Sequence, residues 1–158
     1  MQQKQKSVCT VDSDLGEIGR VTHDLIIVGG GPAGATCARK AVQLGLDVLL
    51  LEKAHHPRRK ACGGGVTLRV RDQLDFDVSS VVGREQCGLR LFSPSGLVVE
   101  NTREEITGFT VRREDFDHLL LKKAEEAGAE VLQGVKVVDV SEESNGVVVI
   151  TDDGSYKG

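Results

Sequence analysis

Apolar and polar positions near the start of the chain predict a strand, a helix and a second strand between residues 24 and 53. Residues 25–28 are a continuous apolar run, which is typical of a parallel strand covered on both faces. A helix follows from Pro32 until Gly45 ends it, and residues 48–51 form a second apolar run. The apolar stripe predicted for this helix consists of Cys37, Ala41 and Leu44, flanked by Ala38 and Val42.

The rest of the chain predicts two more helices and several short strands. Helices are predicted where apolar residues recur at three- and four-residue intervals, and strands where they alternate between turn residues. In chain order, these elements are a helix over residues 66–76, a hairpin turning at Ser95 and Gly96, a strand near residues 106–112, a helix over residues 113–127, a third parallel strand over residues 130–133, a hairpin turning at Asn145 and Gly146, and a last strand from about Tyr156. The helix over residues 113–127 ends at Gly128, and its apolar face consists of Phe116, Leu119, Leu120, Ala124 and Ala127.

Three glycines between the first strand and the first helix have the spacing G-x-G-x-x-G. Gly29 permits a tight turn, Gly31 lets the backbone approach a pyrophosphate, and Gly34 lets the helix pack close to the strand. Pro32 stands where its missing N–H costs nothing, so free amides point outward at the start of the helix and attract phosphate. The turn therefore predicts a phosphate-binding site.

Glu52 stands at the carboxyl end of the second strand, 18 residues after Gly34. A carboxylate in this place accepts both hydroxyl groups of an adenosine ribose and repels a 2′-phosphate. With the strand, turn and helix in order before it, Glu52 predicts a dinucleotide site. The alternative is an ordinary glycine-rich turn, in which Glu52 is a solvated strand end.

Composition narrows the setting of this site. A length of 158 residues favours one domain, and a formal net charge of −4 disfavours nucleic acid as a partner. No apolar run is long enough to predict a membrane span. Residues 1–22 are polar and predict a flexible leader, which leaves residues 23–158 as the domain. The four cysteines are Cys9, Cys37, Cys62 and Cys87, and they form no C-x-x-C pair. This spacing predicts neither a metal site nor a disulfide framework and fits a reducing cytoplasm.

A loop rich in basic side chains follows the second strand over residues 53–65. Most such runs are solvated, but this one leaves the sheet edge where open α/β sheets bind ligands. Arg58, Arg59 or Lys60 is therefore expected near phosphates, and the glycines of residues 63–65 are expected to lie flat against a ring system. His55 and His56 have no partner at metal spacing and are predicted to be a surface pair.

Cys62 in the same loop has two interpretations. It is either a small buried filler or a thiol beside the reactive part of a cofactor. The basic, glycine-rich setting favours the second, although Cys62 remains a weak catalytic candidate.

Four stretches together resemble the amino-terminal part of the geranylgeranyl reductase family. They are DLIIVGGGPAG at residues 24–34, Glu52 with Lys53, KACGGGV at residues 60–66 and RREDFDHLL at residues 112–120. These flavoproteins have the glutathione-reductase-type FAD fold, which aromatic hydroxylases share. The resemblance implies an α/β fold: a Rossmann-like FAD-binding βαβ unit with a parallel sheet, inserted antiparallel strands and a β-meander crossover, truncated here.

Carried over by position, the resemblance implies which residues hold FAD. Gly29, Gly31, Ala33 and Gly34 are implied at the pyrophosphate and Glu52 at the adenosine ribose, and Lys53 is implied to bind the cofactor as well. Cys62, Gly63 and Gly65 are implied near the isoalloxazine or the substrate, Arg113 at the phosphate or ribityl region, and the backbone of Val137 at the adenine. Without a ligand, Arg113 is interpreted as a solvated arginine in a place unfavourable for a cation. Phe116 and Asp117 are interpreted as structural, one as core and the other as a first-turn acid.

The reaction that the resemblance implies is reduction of carbon–carbon double bonds in a geranylgeranyl or other isoprenoid chain. The hydride comes from reduced flavin, and the electrons come from NADPH or ferredoxin. Such a small-molecule or lipid substrate is compatible with attachment of a cytoplasmic protein to a membrane surface.

Other hypotheses stay open. An FAD-dependent monooxygenase of the aromatic hydroxylase type shares the nucleotide motif, although it usually has an arginine-rich stretch in place of KACGGGV. A truncated chain with no independent activity is also expected, because members of the family continue with a Gly-Ala-Asp-Gly strand end, a second flavin motif and a lipid-binding region. An NAD-binding Rossmann domain is disfavoured by the hairpin sheet after the third strand.

Overall fold

The computed structural model describes residues 22–158, so the predicted leader lies outside the described residues except for Thr22. The elements in chain order are β1 (Leu25–Val28), α1 (Pro32–Gln43), β2 (Val48–Glu52), β3 (Gly65–Thr67), α2 (Leu68–Arg71), a 3₁₀ turn (Ser79–Val81), β4 (Val82–Gln86), β5 (Gly88–Phe92), β6 (Val98–Thr102), β7 (Gly108–Val111), α3 (Arg113–Ala127), β8 (Glu130–Gln133), β9 (Val137–Glu143), β10 (Gly146–Thr151) and β11 (Ser155–Lys157).

The predicted parallel sheet is confirmed, with β2 between β1 and β8. Leu25 of β1 lies opposite Val48 of β2, and Leu49 of β2 lies opposite Glu130 of β8. This strand order is the one that a dinucleotide-binding half-fold adopts. All five residues of β2 are buried, which explains why the central strand is an unbroken apolar run until Glu52.

The side chains of β2 alternate between two separate cores. Val48 and Leu50 pack in the larger core with α1 and α3, whereas Leu49 and Leu51 pack in the smaller one. The smaller core includes Val149 of β10, so an antiparallel sheet of β9, β10 and β11 covers the second face. The parallel sheet is thus the middle of three layers, and its carboxyl edge stays open for a site.

The second hairpin is also confirmed, with its turn one residue earlier than predicted. Glu143 pairs with Gly146, so Ser144 and Asn145 form the turn. Gly146 has a φ of +139°, which only glycine adopts easily. The last strand, β11, pairs with β10 and includes the predicted Tyr156.

The segment between β2 and α3 contains the inserted strands. The predicted hairpin is β5 with β6, and the predicted strand after it is β7, which lies between β3 and β4. The helix predicted over residues 66–76 is wrong. Val66 instead pairs with Phe109 of β7, and only the short α2 is helical, because pairing with β7 overrides the helical periodicity.

Helix α1 faces the sheet through only part of the predicted stripe, namely Ala38, Ala41 and the partly buried Val42. Cys37 and Leu44 are exposed, Leu44 by 82%, while Ala35, Ala38 and Ala41 are buried. Small side chains are needed on this face because the glycine turn brings the helix close to β1. The predicted end of the helix is confirmed, since Gly45 follows it with a φ of +87°.

Helix α3 has the predicted bounds and ends at Gly128, whose φ is +112°. Phe116, Leu120 and Ala124 are buried as predicted, and Leu119 and Ala127 are partly buried. Two further residues, Asp117 and Leu121, are buried on the same helix. A fully buried carboxylate in an otherwise apolar interface needs a partner, and this partner lies in the site described next.

Candidate functional site

The turn between β1 and α1 is held by close backbone contacts. The Gly29 amide donates a hydrogen bond of 2.8 Å to the Leu51 carbonyl oxygen, which ties the turn to the end of β2. A φ of +103° at Gly29 favours glycine there. A side chain at Gly34 would collide with the Gly29 carbonyl oxygen, so the helix packs against the strand as closely as the motif predicts.

The start of α1 offers free backbone amides to an anion. Gly31 precedes the helix without a capping side chain, and the first turn contains no acidic residue. A side chain at Gly31 would meet only the Nη2 atom of Arg58, at 3.7 Å, so the backbone there borders open space. Ala33 is exposed on the first turn. This helix end is therefore suited to phosphate groups.

Glu52 is buried at the end of β2, with 4% of its surface exposed. Its Oε2 atom accepts a hydrogen bond from the Gly30 amide at 2.6 Å, and its Oε1 atom accepts one from the Ala54 amide at 2.9 Å. The alternative interpretation, a solvated strand end, is wrong. Each carboxylate oxygen keeps a second lone pair, so Glu52 can accept ribose hydroxyls while it holds the turn.

A cleft of about 280 Å³ opens at the carboxyl ends of β1 and β2. Open α/β sheets bind ligands at this edge. The lining combines apolar side chains with one carboxylate and two lysines, which suits a nucleoside with its apolar base and hydroxylated sugar. Four of the predicted residues line the cleft, namely Gly29, Glu52, Lys53 and Val137, together with Val28, Leu51, Val135 and Lys136.

Arg58 lies between two carboxylates beside the glycine turn. Its Nε atom is 3.9 Å from Glu52 Oε1, and its Nη2 atom is 3.5 Å from Asp117 Oδ2. Only 19% of the Arg58 side chain is exposed, whereas Arg59 and Lys60, the other phosphate candidates of the loop, are exposed residues. Because Arg58 also borders Gly31, its positive charge faces the start of α1.

Arg113 begins α3 with its guanidinium bound to Asp117, one helical turn later. Two parallel hydrogen bonds join them, from Nε to Oδ1 at 2.6 Å and from Nη2 to Oδ2 at 2.9 Å. The pair keeps the pKa of Arg113 well above its ordinary value. Asp117 has no exposed surface and Arg113 is mostly buried, so the interpretations as a first-turn acid and a solvated arginine are wrong. Charge-assisted pairing holds both side chains inside.

Cys62 is exposed, so the interpretation as a buried filler is wrong. Its sulfur accepts a hydrogen bond of 3.4 Å from the Gly64 amide. That amide, and next the Arg113 guanidinium, hold the pKa of the Cys62 thiol below its ordinary value. Gly64 packs tightly on β7 with a φ of +70°, whereas side chains at Gly63 and Gly65 would meet nothing within 4 Å. The backbone beside the thiol is therefore open to a flat group.

The histidine pair is only partly at the surface. His55 is exposed as predicted, but His56 is partly buried, and neither of its ring nitrogens has a hydrogen-bond partner among the described residues. Its ring lies 6.5 Å from that of His118 on α3. Burial, with a smaller effect of Arg58, lowers the pKa of His56. A loop residue has no periodicity that would have indicated this burial.

Gly31, Ala33 and Gly34 lie at the start of α1, and the other predicted residues form two groups. The first group lines the cleft, and the second, with Cys62 and Arg113, lies at the start of α3. Arg58 and Asp117 join the two groups by ion pairs. This role of Asp117 was not predicted, although its spacing of four residues from Arg113 is the signal of an ion pair on one helix face.

Residues 22–158 contain no metal cluster and no candidate membrane-spanning helix. No group of three or more histidine, cysteine, aspartate or glutamate side chains is arranged to hold a metal ion there. No helix in this part of the chain has the length and apolar character needed to cross a bilayer.

Fold and site together define a dinucleotide-binding domain. The uncapped helix start, the tight turn at Gly34 and the buried acid at the end of β2 all meet at one sheet edge. The family model described as FAD dependent oxidoreductase matches residues 24–157. The chain therefore belongs to the FAD dependent oxidoreductase family, which confirms the predicted class of cofactor.

Curated relatives confirm the predicted resemblance to the reductases. The chain is 36% identical over 144 residues to a menaquinone reductase of Mycolicibacterium smegmatis, which covers 85% of this chain and 35% of the relative. It is 38% identical over 112 residues to a geranylgeranyl diphosphate reductase of Rhodobacter capsulatus, covering 71% of this chain and 28% of that relative. The chain thus spans about a third of the length of these relatives.

Solved structures show the same fold. A geranylgeranyl bacteriochlorophyll reductase-like protein from Thermoplasma acidophilum superposes with a TM-score of 0.73 at 27% identity, over 87% of this chain and 37% of that one. The flavin-dependent brominase Bmp2 superposes with a TM-score of 0.70 at 29% identity, over 86% of this chain and 35% of that one. The domain architecture is therefore shared by reductases and halogenases.

Proposed function

We propose that this chain is the FAD-binding part of a reductase that saturates carbon–carbon double bonds in isoprenoid chains. One observation carries the proposal: contacts through Arg58, Asp117 and Arg113 connect the cleft at Glu52 to the open glycine backbone at Cys62, with the two arginines as a cationic middle. FAD has the same order of parts, with adenosine, diphosphate and a flat ring. Relatives named geranylgeranyl diphosphate reductase and digeranylgeranylglycerophospholipid reductase support the isoprenoid as substrate.

The residues present fit FAD. A tight turn at Gly34 and an open backbone at Gly31 are the two demands of a diphosphate at this turn, and both are met. The amides of Gly31 and Ala33 would bind the diphosphate, with Arg58 and Arg113 neutralising its charge. Glu52 would accept the ribose hydroxyls, beside Lys53. The backbone near Val137 would lie against the adenine.

The chemistry of the proposed reaction comes from the bound cofactor. When bound, reduced FAD would supply a hydride for one alkene carbon, and an acid would supply a proton for the other, so each saturated bond would consume two electrons. In this chain, Gly63 and Gly65 would let the backbone lie close to the ring system, and the Cys62 thiol would border the same space. NADPH or ferredoxin is the proposed electron donor, and a cytoplasmic protein at a membrane surface would meet such a substrate.

The cofactor part of the proposal is tested by adding FAD to the purified 158-residue chain. We expect a yellow protein with near-stoichiometric flavin and a melting temperature that rises with FAD, because a ligand that binds only the folded state stabilises it. Gly31→Val is the control variant, since its side chain would occupy the space of the diphosphate. A colourless chain whose melt ignores FAD would contradict the proposal.

The reductase part of the proposal is tested by incubating the protein without oxygen with FAD, with dithionite as the reductant and with geranylgeranyl diphosphate as the substrate. Products that gain two hydrogen atoms per saturated bond are expected in a mass spectrum. A flavin-dependent monooxygenase or halogenase is the second candidate, and the superposition on brominase Bmp2 is the observation that favours it. The monooxygenase or halogenase would replace the reductase as the proposed function if two results were obtained together. The protein would consume oxygen with NADPH in air, and it would form no saturated product in the anaerobic assay.

A further inference from the structure

We propose that Asp117 is a positioning residue of the cofactor site, whose buried carboxylate holds Arg113 and Arg58 in place for the diphosphate of a nucleotide. This inference deepens the proposed function and rests on it. Neither the glycine motif nor the acid at the end of β2 accounts for a charged side chain inside α3.

The burial of Asp117 is the first argument. The residue has no exposed surface, yet it lies among Phe116, Leu120 and Leu121 on the core side of α3. An ionised carboxylate in such a place is strongly unfavourable unless it is paired and hydrogen-bonded. Two parallel hydrogen bonds to Arg113 satisfy it. A plain core position would be filled at lower cost by leucine, so the charge points to a role in the site.

The arrangement of the arginines is the second argument. Arg113 is bound closely, but Arg58 is held only by longer ion pairs, 3.5 Å from Asp117 and 3.9 Å from Glu52. Within residues 22–158, the Arg58 guanidinium makes no hydrogen bond shorter than these contacts. Its N–H groups thus face the open backbone at Gly31 while carboxylates keep its place. A planar guanidinium held in this way is suited to a diphosphate oxygen.

A substitution at Asp117 separates positioning from plain charge, because the two predict effects of opposite sign. If Asp117 were only a negative charge near the site, its removal would make a diphosphate bind more tightly. If it positions Arg113 and Arg58, its removal lets both guanidinium groups move, and a diphosphate binds less tightly. The direction of the change in affinity for a diphosphate therefore distinguishes a positioning role of Asp117 from the effect of a plain negative charge.

The experiment measures binding of ADP and adenosine by calorimetry to the 158-residue chain and to Asp117→Asn, which preserves the shape of the side chain. We expect ADP affinity to fall about tenfold, the effect of one charge-assisted contact, with adenosine affinity unchanged. Asp115→Asn is the matched control, because its carboxylate lies on the same helix, 46% exposed, and contacts Arg112 instead. Unchanged or tighter ADP binding, or an equal loss for adenosine, would overturn the inference.

The cysteine beside Arg113 provides a second measurement that needs no nucleotide. If Asp117 holds Arg113 beside Cys62, Asp117→Asn should slow alkylation of Cys62 at neutral pH, whereas loss of a plain negative charge would speed it. Cys37 and Cys87 are exposed and serve as internal references in the same peptide map. Alkylation of Cys62 that is unchanged or faster in Asp117→Asn would contradict positioning.

Arg113→Lys keeps the charge but cannot form two parallel hydrogen bonds, so it is the second variant if Asp117→Asn does not fold. It is expected to lower ADP affinity and Cys62 reactivity in the same way. A wild-type chain that binds no ADP would overturn both this inference and the proposed function. If the wild-type chain binds ADP with the same affinity as the variants, this inference is overturned but the proposed function is not.

Discussion

The Oε2 atom of Glu52 lies 2.6 Å from the Gly30 amide nitrogen, so the last residue of β2 holds the turn that follows β1. Gly30 is buried, and a side chain there would press on Glu52 and Leu121 at 3.1 Å. The acid that is proposed to bind the ribose therefore also sets the shape of the phosphate turn. One carboxylate links the two halves of the nucleotide site.

Glu52→Ala is expected to lower both stability and FAD affinity. It leaves the Gly30 and Ala54 amides without their acceptors, and each unsatisfied buried group costs about 1–3 kcal/mol. Glu52→Gln keeps one oxygen and should lose less of the free energy of unfolding. Urea unfolding and FAD titration measure the two effects. Unchanged flavin content in purified Glu52→Ala protein would contradict the ribose assignment.

Substitutions of two glycines of the turn are expected to have different effects, one on the stability of the fold and the other on FAD binding. Gly34→Ala should destabilise the fold by about 3 kcal/mol or more, because the new side chain collides with the backbone of Gly29. Gly31→Val should leave the melting temperature nearly unchanged, since open space surrounds that position, and should abolish FAD binding. Thermal melts with and without FAD separate the two. Normal FAD affinity in Gly31→Val would place the diphosphate elsewhere.

Local signals were sufficient for the scaffold of the site. The buried run of β2, the turn residues around Gly29 and the capped helix α3 each follow from nearby residues, and all were predicted within a residue or two. The cleft was also predictable, because parallel strands end at one edge and the acid follows one of them. These features depend little on contacts between distant parts of the chain.

Tertiary contacts decided the features that the sequence alone did not predict. Val66 became a strand residue because Phe109, distant in sequence, pairs with it. Cys37 is exposed because the face of α1 that meets the sheet consists of Ala35, Ala38 and Ala41. His56 is covered by elements that its own loop does not reveal. Long-range packing of this kind overrides local propensity.

Cys62 is expected to react with iodoacetamide at lower pH than Cys37 or Cys87. The Gly64 amide and the Arg113 guanidinium both stabilise the thiolate, which is the reactive form. Alkylation rates from about pH 6 to pH 9, followed by peptide mapping, give a separate profile for each thiol. The same pH dependence for Cys62 and Cys87 would show that the amide and the arginine have no such effect.

His56 is expected to make the fold less stable in mild acid. Its ring lies 6.5 Å from that of His118, and burial, followed by the charge of Arg58, holds its pKa below the ordinary 6.5 against the opposing charges of Glu52 and Asp117. The unfolded chain therefore binds a proton at His56 before the folded chain does. Its contribution to stability is present above pH 6.5 and is lost as the pH falls from 6.5 towards the lowered pKa. Carboxylates titrate mostly below this window, so they contribute little to the change.

Thermal melts between about pH 7.5 and pH 5 test this contribution in the wild-type chain and in His56→Gln, a neutral side chain that cannot take up the proton. His55→Gln is the matched control, because His55 is the exposed neighbour in the same loop. We expect the melting temperature of the wild type and of His55→Gln to fall with pH in this window, and that of His56→Gln to fall less. An equal decline of the melting temperature in all three proteins would show that another group binds the proton. The comparison is matched because the two variants remove neighbouring histidines, of which His56 is partly buried and His55 is exposed.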